Sequence, residues 1–390
     1  MPWKECNRMN ERMKFVIRLE DGERMTDLCR EFEISRKTGY KIWNRYHANG
    51  VDGLFDESKR PYHNPRKTAE HIEDLILQTK LKRPTWGADK IREYLLKKSK
   101  FNLPSRNTFH NILLRNDLVK KRRRRRYKAT GTNLTPSNKP NDLWCADFKG
   151  QFRMKNNKYC YPLTITDHES RFLLGCEALE SVKEGGAFSV FNQAFEKFGV
   201  PKAIRTDNGF PFSCGNALLG LSRLSVWWLR LGIDIERITP GNPQENGRHE
   251  RMHLTLKQDT LSNPTRSILS QQEVFEDFKK MYNFDRPHQA LGNEMPGNIY
   301  TKSKKLYKKE FSELTYPDME MEKKVIECGK VSFRNRKSIF ISEVLAGEVV
   351  GITEVEEKMW KVKFMDLVLG HYDENEGKFS PMREMILEKV

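Results

Sequence analysis

His249, Glu250 and His253 lie in PGNPQENGRHERMHLTLKQD, residues 240–259, and spell H-E-x-x-H. On a helix that spacing puts two imidazoles on one face, where they could bind zinc while the glutamate acts as general base. The same glutamate could instead be an oxygen ligand for magnesium in an enzyme that cuts DNA. Two more acids bear on the choice. Asp147 sits in NDLWCADFKGQF, whose alternation reads as a strand with Leu143, Cys145 and Asp147 on one face. Asp207 ends the short strand of PKAIRTDNGFPF, and the turn pair Asn208-Gly209 after it exposes the carboxylate. Alone, each is equally an ordinary strand-edge or turn acid.

These residues need a scaffold, and the flanking patterns supply one. YCYPLTITDHESRFLLGCEAL reads as two strands turning near DHES, so 143–179 forms a three-stranded antiparallel meander. EGGAFSVFNQAFEKFG follows as an amphipathic helix with Phe188, Phe191 and Phe195 at helical spacing. LSVWWLRLG is a helix, IDIERITPG returns toward the sheet, and ENGRHERMHLTLKQDTL is a long helix. The result is an α/β core.

Charge divides the chain. Residues 1–140 carry 34 Lys and Arg against 17 Asp and Glu, whereas 141–390 carry 36 of each, so the whole +17 excess lies in the first third. A basic head on a neutral body implies a polyanionic partner, nucleic acid above all. ERMTDLCREFEISRKTGYKIWNRYHANG reads as helix, turn, helix, with Ser35 as N-cap of the second helix. Tyr40, Trp43 and Tyr46 are expected as a buried stripe, leaving Arg36, Lys37, Thr38 and Lys41 to meet DNA. A second unit contains TAEHIEDLILQTKLKRP, WGADKIREYLLKKSK and PSRNTFHNILLRNDLV, with Arg106, Asn107 and Arg115 exposed. KKRRRRRYK, residues 120–128, includes Arg122, Arg123, Arg124, Arg125 and Arg126, and should add salt-sensitive, sequence-blind affinity for phosphates. No apolar run approaches a membrane span. The seven scattered cysteines contain no C-x-x-C and indicate neither a disulfide framework nor a zinc ribbon.

DLWCADFKG, RTDNGFPF and PGNPQENGRHERMHLTLK resemble, in order, the three catalytic blocks of the integrase-core DDE transposases, relatives of retroviral integrases. YNFDRPHQALGNEMPGNIY resembles the segment that closes that core. ISRKTGYKIW and RPTWGADKIREYL look like the paired helix-turn-helix heads of bacterial insertion-sequence transposases. The resemblance covers nearly the whole chain. It implies an RNase H-like core, an acidic triad at Asp147, Asp207 and Glu250, and a DNA-end contact at Lys257. Two departures stand out. The interval from Asp207 to Glu250 is several residues longer than in retroviral integrases, with the surplus expected in CGNALLGLSRLSVWW. Helix-turn-helix heads also replace their His/Cys zinc module.

Glu245 competes with Glu250 for the third position. Asn246-Gly247 suits a helix entry, which leaves Glu245 in the loop and puts Glu250, His253 and Lys257 on one helical face. Cutting a phosphodiester without a protein nucleophile calls for two divalent ions, here Mg²⁺ with Mn²⁺ able to substitute, held by Asp147, Asp207 and Glu250. A zinc hydrolase built on His249, His253 and Glu273 would leave the heads, the arginine run and both aspartates without a role.

The expected architecture is multidomain. Helix-turn-helix heads span 1–60 and 61–119, and a basic linker spans 120–140. An α/β RNase H-like core spans 141–300, a linker 301–324, and a small all-β, SH3-like barrel 325–390. The expected function is a DDE transposase. It would bind double-stranded DNA at terminal inverted repeats and at the target, cleave the 3′ end and transfer the strand. It would act as a dimer or larger oligomer in the cytoplasm at the nucleoid, without membrane contact. A silent DNA-binding regulator with the same fold is the alternative.

Overall fold

The computed structural model describes residues 8–58, 67–99, 101–119, 134, 136–215, 217–334 and 337–387. Contacts divide the chain into two units, 1–68 and 69–390.

The first unit is a three-helix head. α1 (Arg8–Glu20) buries Phe15 and Val16 against α2 (Met25–Glu31) and α3 (Arg36–Asn49). Ser35 caps α3 by accepting a hydrogen bond from the Thr38 amide at 3.1 Å. Where α2 and α3 cross, Gly39 is required by close approach. A Cβ there would lie 2.6 Å from Cys29 Sγ and 2.8 Å from Met25 Sδ. Gly39 thus takes the inward position, and Tyr40, expected in the buried stripe, points outward at 54% exposure, while Trp43 and Tyr46 are half-buried. Gly39→Ala is expected to destabilise this head by about 1–3 kcal/mol through overpacking. Faster amide exchange in α2 and α3 of the full chain would register it, and unchanged exchange would refute the close-approach argument.

The second unit begins with another helical head: α4 (Glu70–Lys82), α5 (Ala88–Lys98) and α6 (Arg106–Arg115). Trp86, Ile91, Phe109, Ile112 and Leu113 are buried in one apolar cluster that continues through Met252, Leu256, Phe275 and Phe278 of the core. Lys97–Glu294 and Lys98–Asp285 ion pairs, both 2.7 Å, join its rim to the core.

The core sheet contains β1 (Leu143–Phe148), β2 (Phe152–Arg153), β3 (Tyr159–Asp167), β4 (Leu173–Leu179), β5 (Ala203–Thr206) and β6 (Asp234–Arg237). β1, β3 and β4 pair antiparallel as the expected meander, whereas β5 joins β1, and β6 joins β5, in parallel. This mixed sheet is the RNase H-like arrangement. Alternation along the strands separates its two faces. Trp144, Ala146, Leu163, Ile165 and Ile204 pack with α7 (Glu184–Phe198) and α8 (Arg223–Arg230). Thr164 and Thr166 face the other way, toward α9 (Gly247–Thr260). α10 (Ile268–Lys280), which the sequence reading did not identify, covers β4 with Phe275 and Phe278.

The C-terminal region is all β, as expected. β7 (Met321–Lys324), β10 (Val349–Glu356), β11 (Met359–Phe364), β12 (Leu367–Asp373) and β13 (Lys378–Leu387) form one antiparallel sheet. β8 (Lys330–Ser332) and β9 (Ser338–Phe340) make a separate hairpin. Among the described residues the edge strands β7 and β13 do not pair with each other, so the sheet stays open where a closed barrel was expected. Its bulges, as between Val362 and Lys363, curl it without closing it. The expected 301–324 linker also ends early, because Met321–Lys324 pairs with β10 and the Tyr316 hydroxyl donates to the Val349 carbonyl at 2.8 Å. The surplus between Asp207 and Glu250 has a structural use: Leu221 and Val226 are buried in the apolar cluster of this C-terminal sheet.

Candidate active site and nucleic-acid surfaces

Three elements carry the acids. β1 and β5 are parallel neighbours with Cys145 opposite Arg205, and two residues further along each chain come Asp147 and Asp207. Asp207 lies just beyond β5 in an Asx turn, its Oδ1 accepting from the Gly209 amide at 3.0 Å. Glu250 is exposed in the first turn of α9, where the helix dipole favours a carboxylate. The Asp147 carboxyl is pushed up to about 7, first by burial and then by the negative charge of Asp207, with Glu250 adding in the same sense. Both other acids therefore act on Asp147 through space. Lys149 and a hydrogen bond from the Phe148 amide offset only part of this.

The imidazoles of H-E-x-x-H face the sheet. His249, Met252, His253 and Leu256 form the buried side of α9, whereas Glu250 and Lys257 are exposed. His253 therefore does not share the face of Glu250 and Lys257 as expected; it sides with the core residues Met252 and Leu256. Ligand atoms of Asp147, His249 and His253 lie within 4.8 Å of one another, and the expected ligands Asp207 and Glu250 are not part of this group.

Thr164 shows what those nitrogens do. Its hydroxyl donates its one proton to the Asp147 carbonyl at 3.0 Å, and it meets Nε2 of His249 at 2.8 Å and of His253 at 2.7 Å. With the proton spent on the carbonyl, the oxygen accepts from both imidazoles, which fixes both as Nε2–H tautomers. His249 Nδ1 then accepts from Thr166 Oγ1 at 2.7 Å, so both of its nitrogens are engaged. Burial keeps His249 and His253 neutral, lowering them to about 3 and about 2. His253 is left with a lone pair on Nδ1, 3.6 Å from Asp147 Oδ2. Two acceptors at that separation call for a proton or a cation between them. Glu273, the third ligand of a zinc-hydrolase arrangement, is exposed on α10 and outside this group.

Sequence reasoning missed the two threonines. The signal was present: in LTIT, Thr164 and Thr166 alternate with Leu163 and Ile165, which marks a polar face on a central strand. Glu245 lies in a 3-10 turn before α9, and its carboxylate accepts from the Thr239 amide at 2.7 Å, holding the loop.

Of the expected DNA-contact residues, Arg36, Lys37, Thr38 and Lys41 are exposed at the start of α3, as are Arg106 and Asn107 at the start of α6. Arg106 pairs loosely with Asp89 at 3.5 Å. Tyr40, Asn44 and His47 extend the exposed face of α3 beyond the residues chosen from sequence. Arg122 to Arg126 lie outside the described residues. No described helix is long and apolar enough to cross a membrane.

Sequence profiles of the integrase core domain match residues 137–243 and 231–296. A helix-turn-helix domain profile matches 11–62, and a homeodomain-like profile matches 38–113. The insertion element IS476 uncharacterized 39.2 kDa protein of Xanthomonas euvesicatoria is 28% identical over 182 residues, 46% of this chain and 50% of that protein. The Gag-Pol polyprotein of baboon endogenous virus (strain M7) is 30% identical over 131 residues, 34% of this chain and 7% of the polyprotein. The chain thus spans half the length or less of these curated relatives. Among solved structures, the HTLV-2 integrase catalytic core domain in complex with magnesium aligns with a TM-score of 0.33 and 17% identity, over 42% of this chain and 98% of that one. In order along the chain, a helix-turn-helix domain and an overlapping homeodomain-like domain are followed by an integrase core domain that spans 137–296.

Proposed function

We propose that the chain is a DDE transposase that binds the ends of its element, cleaves the strand at each 3′ end and joins the freed 3′-OH to target DNA. The observation that carries this reading is the placement of Asp147 on β1, Asp207 just past the neighbouring β5 and Glu250 on α9, with the Asp147 carboxyl held up first by burial and then by the charges of Asp207 and Glu250. Three carboxylates gathered from separate elements repel one another until cations bind, and an all-oxygen donor set suits Mg²⁺, with Mn²⁺ as substitute. Two such ions, held by Asp147, Asp207 and Glu250, would activate the attacking water or 3′-OH and stabilise the leaving oxygen.

The chain's own residues supply the rest. Thr164 fixes the Asp147 main chain through its carbonyl. Lys257, exposed two turns after Glu250, is positioned for a DNA phosphate. The helical heads, with the basic run 120–128, would hold the terminal repeats. Joining two ends requires at least a dimer. Such a protein would work in the cytoplasm at the nucleoid.

The test is incubation of purified protein with duplex carrying the element's end. Mg²⁺-dependent appearance of a 3′-OH end and of joined product is expected, and binding without either product would refute the reading. Metal affinity should also depend on pH. Asp147 must lose its proton to bind a cation, and that proton is held below about pH 7. The apparent association constant for Mn²⁺, measured by calorimetry, should fall about tenfold per unit below pH 7 and level off above it. A flat profile from pH 5.5 to 8.5 would remove Asp147 from the ligand set.

A further inference from the structure

A cleft of about 1360 Å³ lies beside α9, between the second helical head and the core. Seven Lys and Arg side chains line it against two acids. Neither acid neutralises the interior. Asp89 pairs with Arg106 at the rim, and the Glu245 carboxylate is turned to the Thr239 amide.

The cleft and the acidic site use different faces of α9. Arg248, Arg251 and Thr255 line the cleft, whereas Glu250 and Lys257 do not. At roughly 100° per residue, Glu250 sits about a third of a turn around the helix from the arginine face.

Carboxylates outside the lining pair three of these cations, Arg205 with Glu236 at 3.3 Å, Arg248 with Glu169 at 3.2 Å and Arg286 with Asp259 at 3.8 Å, but they leave buried polar atoms of the cleft unsatisfied. Arg171 stands in the left-handed backbone region at φ 61°, and its buried Nε has no hydrogen-bond partner. Arg286 is 7% exposed, with Nη1 only 3.8 Å from Asp259. His288 is held neutral by burial and adds no charge to the cleft. The arginines also act on one another: burial first, then Arg248 and Arg251, depress the Arg171 guanidinium, and Tyr282 and Glu169 offset only part of this. Buried donors without acceptors and like charges held together are costly to fold. They become favourable when an anion with several acceptor oxygens enters. Guanidinium forks match phosphate oxygens. The volume exceeds the roughly 300–1,000 Å³ of small-molecule pockets, and the lining runs from Arg106, at the start of α6, to the Arg286–His288 turn.

We propose that this cleft is a second DNA-binding surface, one that grips the sugar-phosphate backbone of duplex DNA between the second head and the rear of the catalytic helix. The proposal rests on the reading of the chain as a DNA-binding transposase and adds to it a specific path, with Arg171 and Arg251 as phosphate contacts.

The test is binding of the full chain to a long mixed-sequence duplex over a series of salt concentrations. Each phosphate contact contributes about 0.9 to the slope of log K against log salt. Arg251→Gln and Arg171→Gln should each make the slope shallower by about one, and Arg251→Lys should restore it. Arg251 is exposed, so its replacement leaves the packing intact. An unchanged slope in Arg251→Gln, with wild-type protein binding normally, overturns the cleft and leaves the DNA-binding reading standing. Weaker binding at an unchanged slope also overturns it, because lost structure and not lost phosphate contact would then be the cause. Failure of the wild-type chain to bind duplex at all overturns both.

Discussion

Glu250→Gln should leave a folded protein that still binds duplex DNA but has lost strand cleavage by on the order of 10³-fold or more, the scale set by removing one preorganised charge-stabilising group. That is about 4 kcal/mol of transition-state stabilisation. The side chain is exposed on α9, so the amide costs the fold little while deleting the charge. Glu245→Gln is the matched control. Its carboxylate accepts from the Thr239 amide, an amide oxygen can do the same, and activity should stay within about threefold. A second readout is independent of turnover. Glu250 is one of the charges that raise Asp147, so Glu250→Gln should move the break in the Mn²⁺-affinity profile below pH 7. Cleavage that survives Glu250→Gln but fails in Glu245→Gln would transfer the third position to Glu245. Stoichiometric zinc that is lost in His253→Ala would instead favour the hydrolase reading of the same helix.

The sequence made the strands around Asp147 and Asp207 legible because alternation and the Asn208-Gly209 turn are local signals. It made Glu250 legible because Asn246-Gly247 marks the entry of α9. The side of α9 that carries His253 was not legible. Helical spacing says which residues share a face, but which face is buried depends on the sheet beneath. Here Thr164 and Thr166 offer oxygens that draw both imidazoles inward. The same limit explains Tyr40. Aromatic spacing suggested a buried stripe, yet the crossing of α2 over Gly39 rotated α3 so that Tyr40 joined the exposed basic face. The cationic cleft was the least visible feature, because Arg106, Arg171, Arg251 and Arg286 come from four separate segments and meet only in the fold. Closure of the C-terminal sheet was equally out of reach, since it depends on long-range pairing of β7 with β13 and not on any local pattern.

Thr164→Val should strongly destabilise the core although it removes no apolar volume. The substitution keeps the shape on β3 but deletes a hydroxyl that three groups share: the Asp147 carbonyl, His249 Nε2–H and His253 Nε2–H. Thr164 and both imidazoles are buried, so water cannot readily replace it. Each stranded donor or acceptor costs about 1–3 kcal/mol, which makes about 4 kcal/mol a fair total against a typical stability of roughly 5–15 kcal/mol. Thr164→Ser retains the hydroxyl and should recover most of the loss. Thr166→Val strands only His249 Nδ1 and should cost about a third as much. If urea unfolding gave Thr164→Val and Thr166→Val equal losses, the three-way hub would be wrong. The hub also links fold to chemistry, because it anchors α9, the carrier of Glu250, to the strand beside Asp147. Thr164→Ser should therefore keep the metal affinity of the wild type, while whatever Thr164→Val remains folded at low temperature should bind Mn²⁺ more weakly, by on the order of 10–100-fold as for loss of other groups that orient metal ligands.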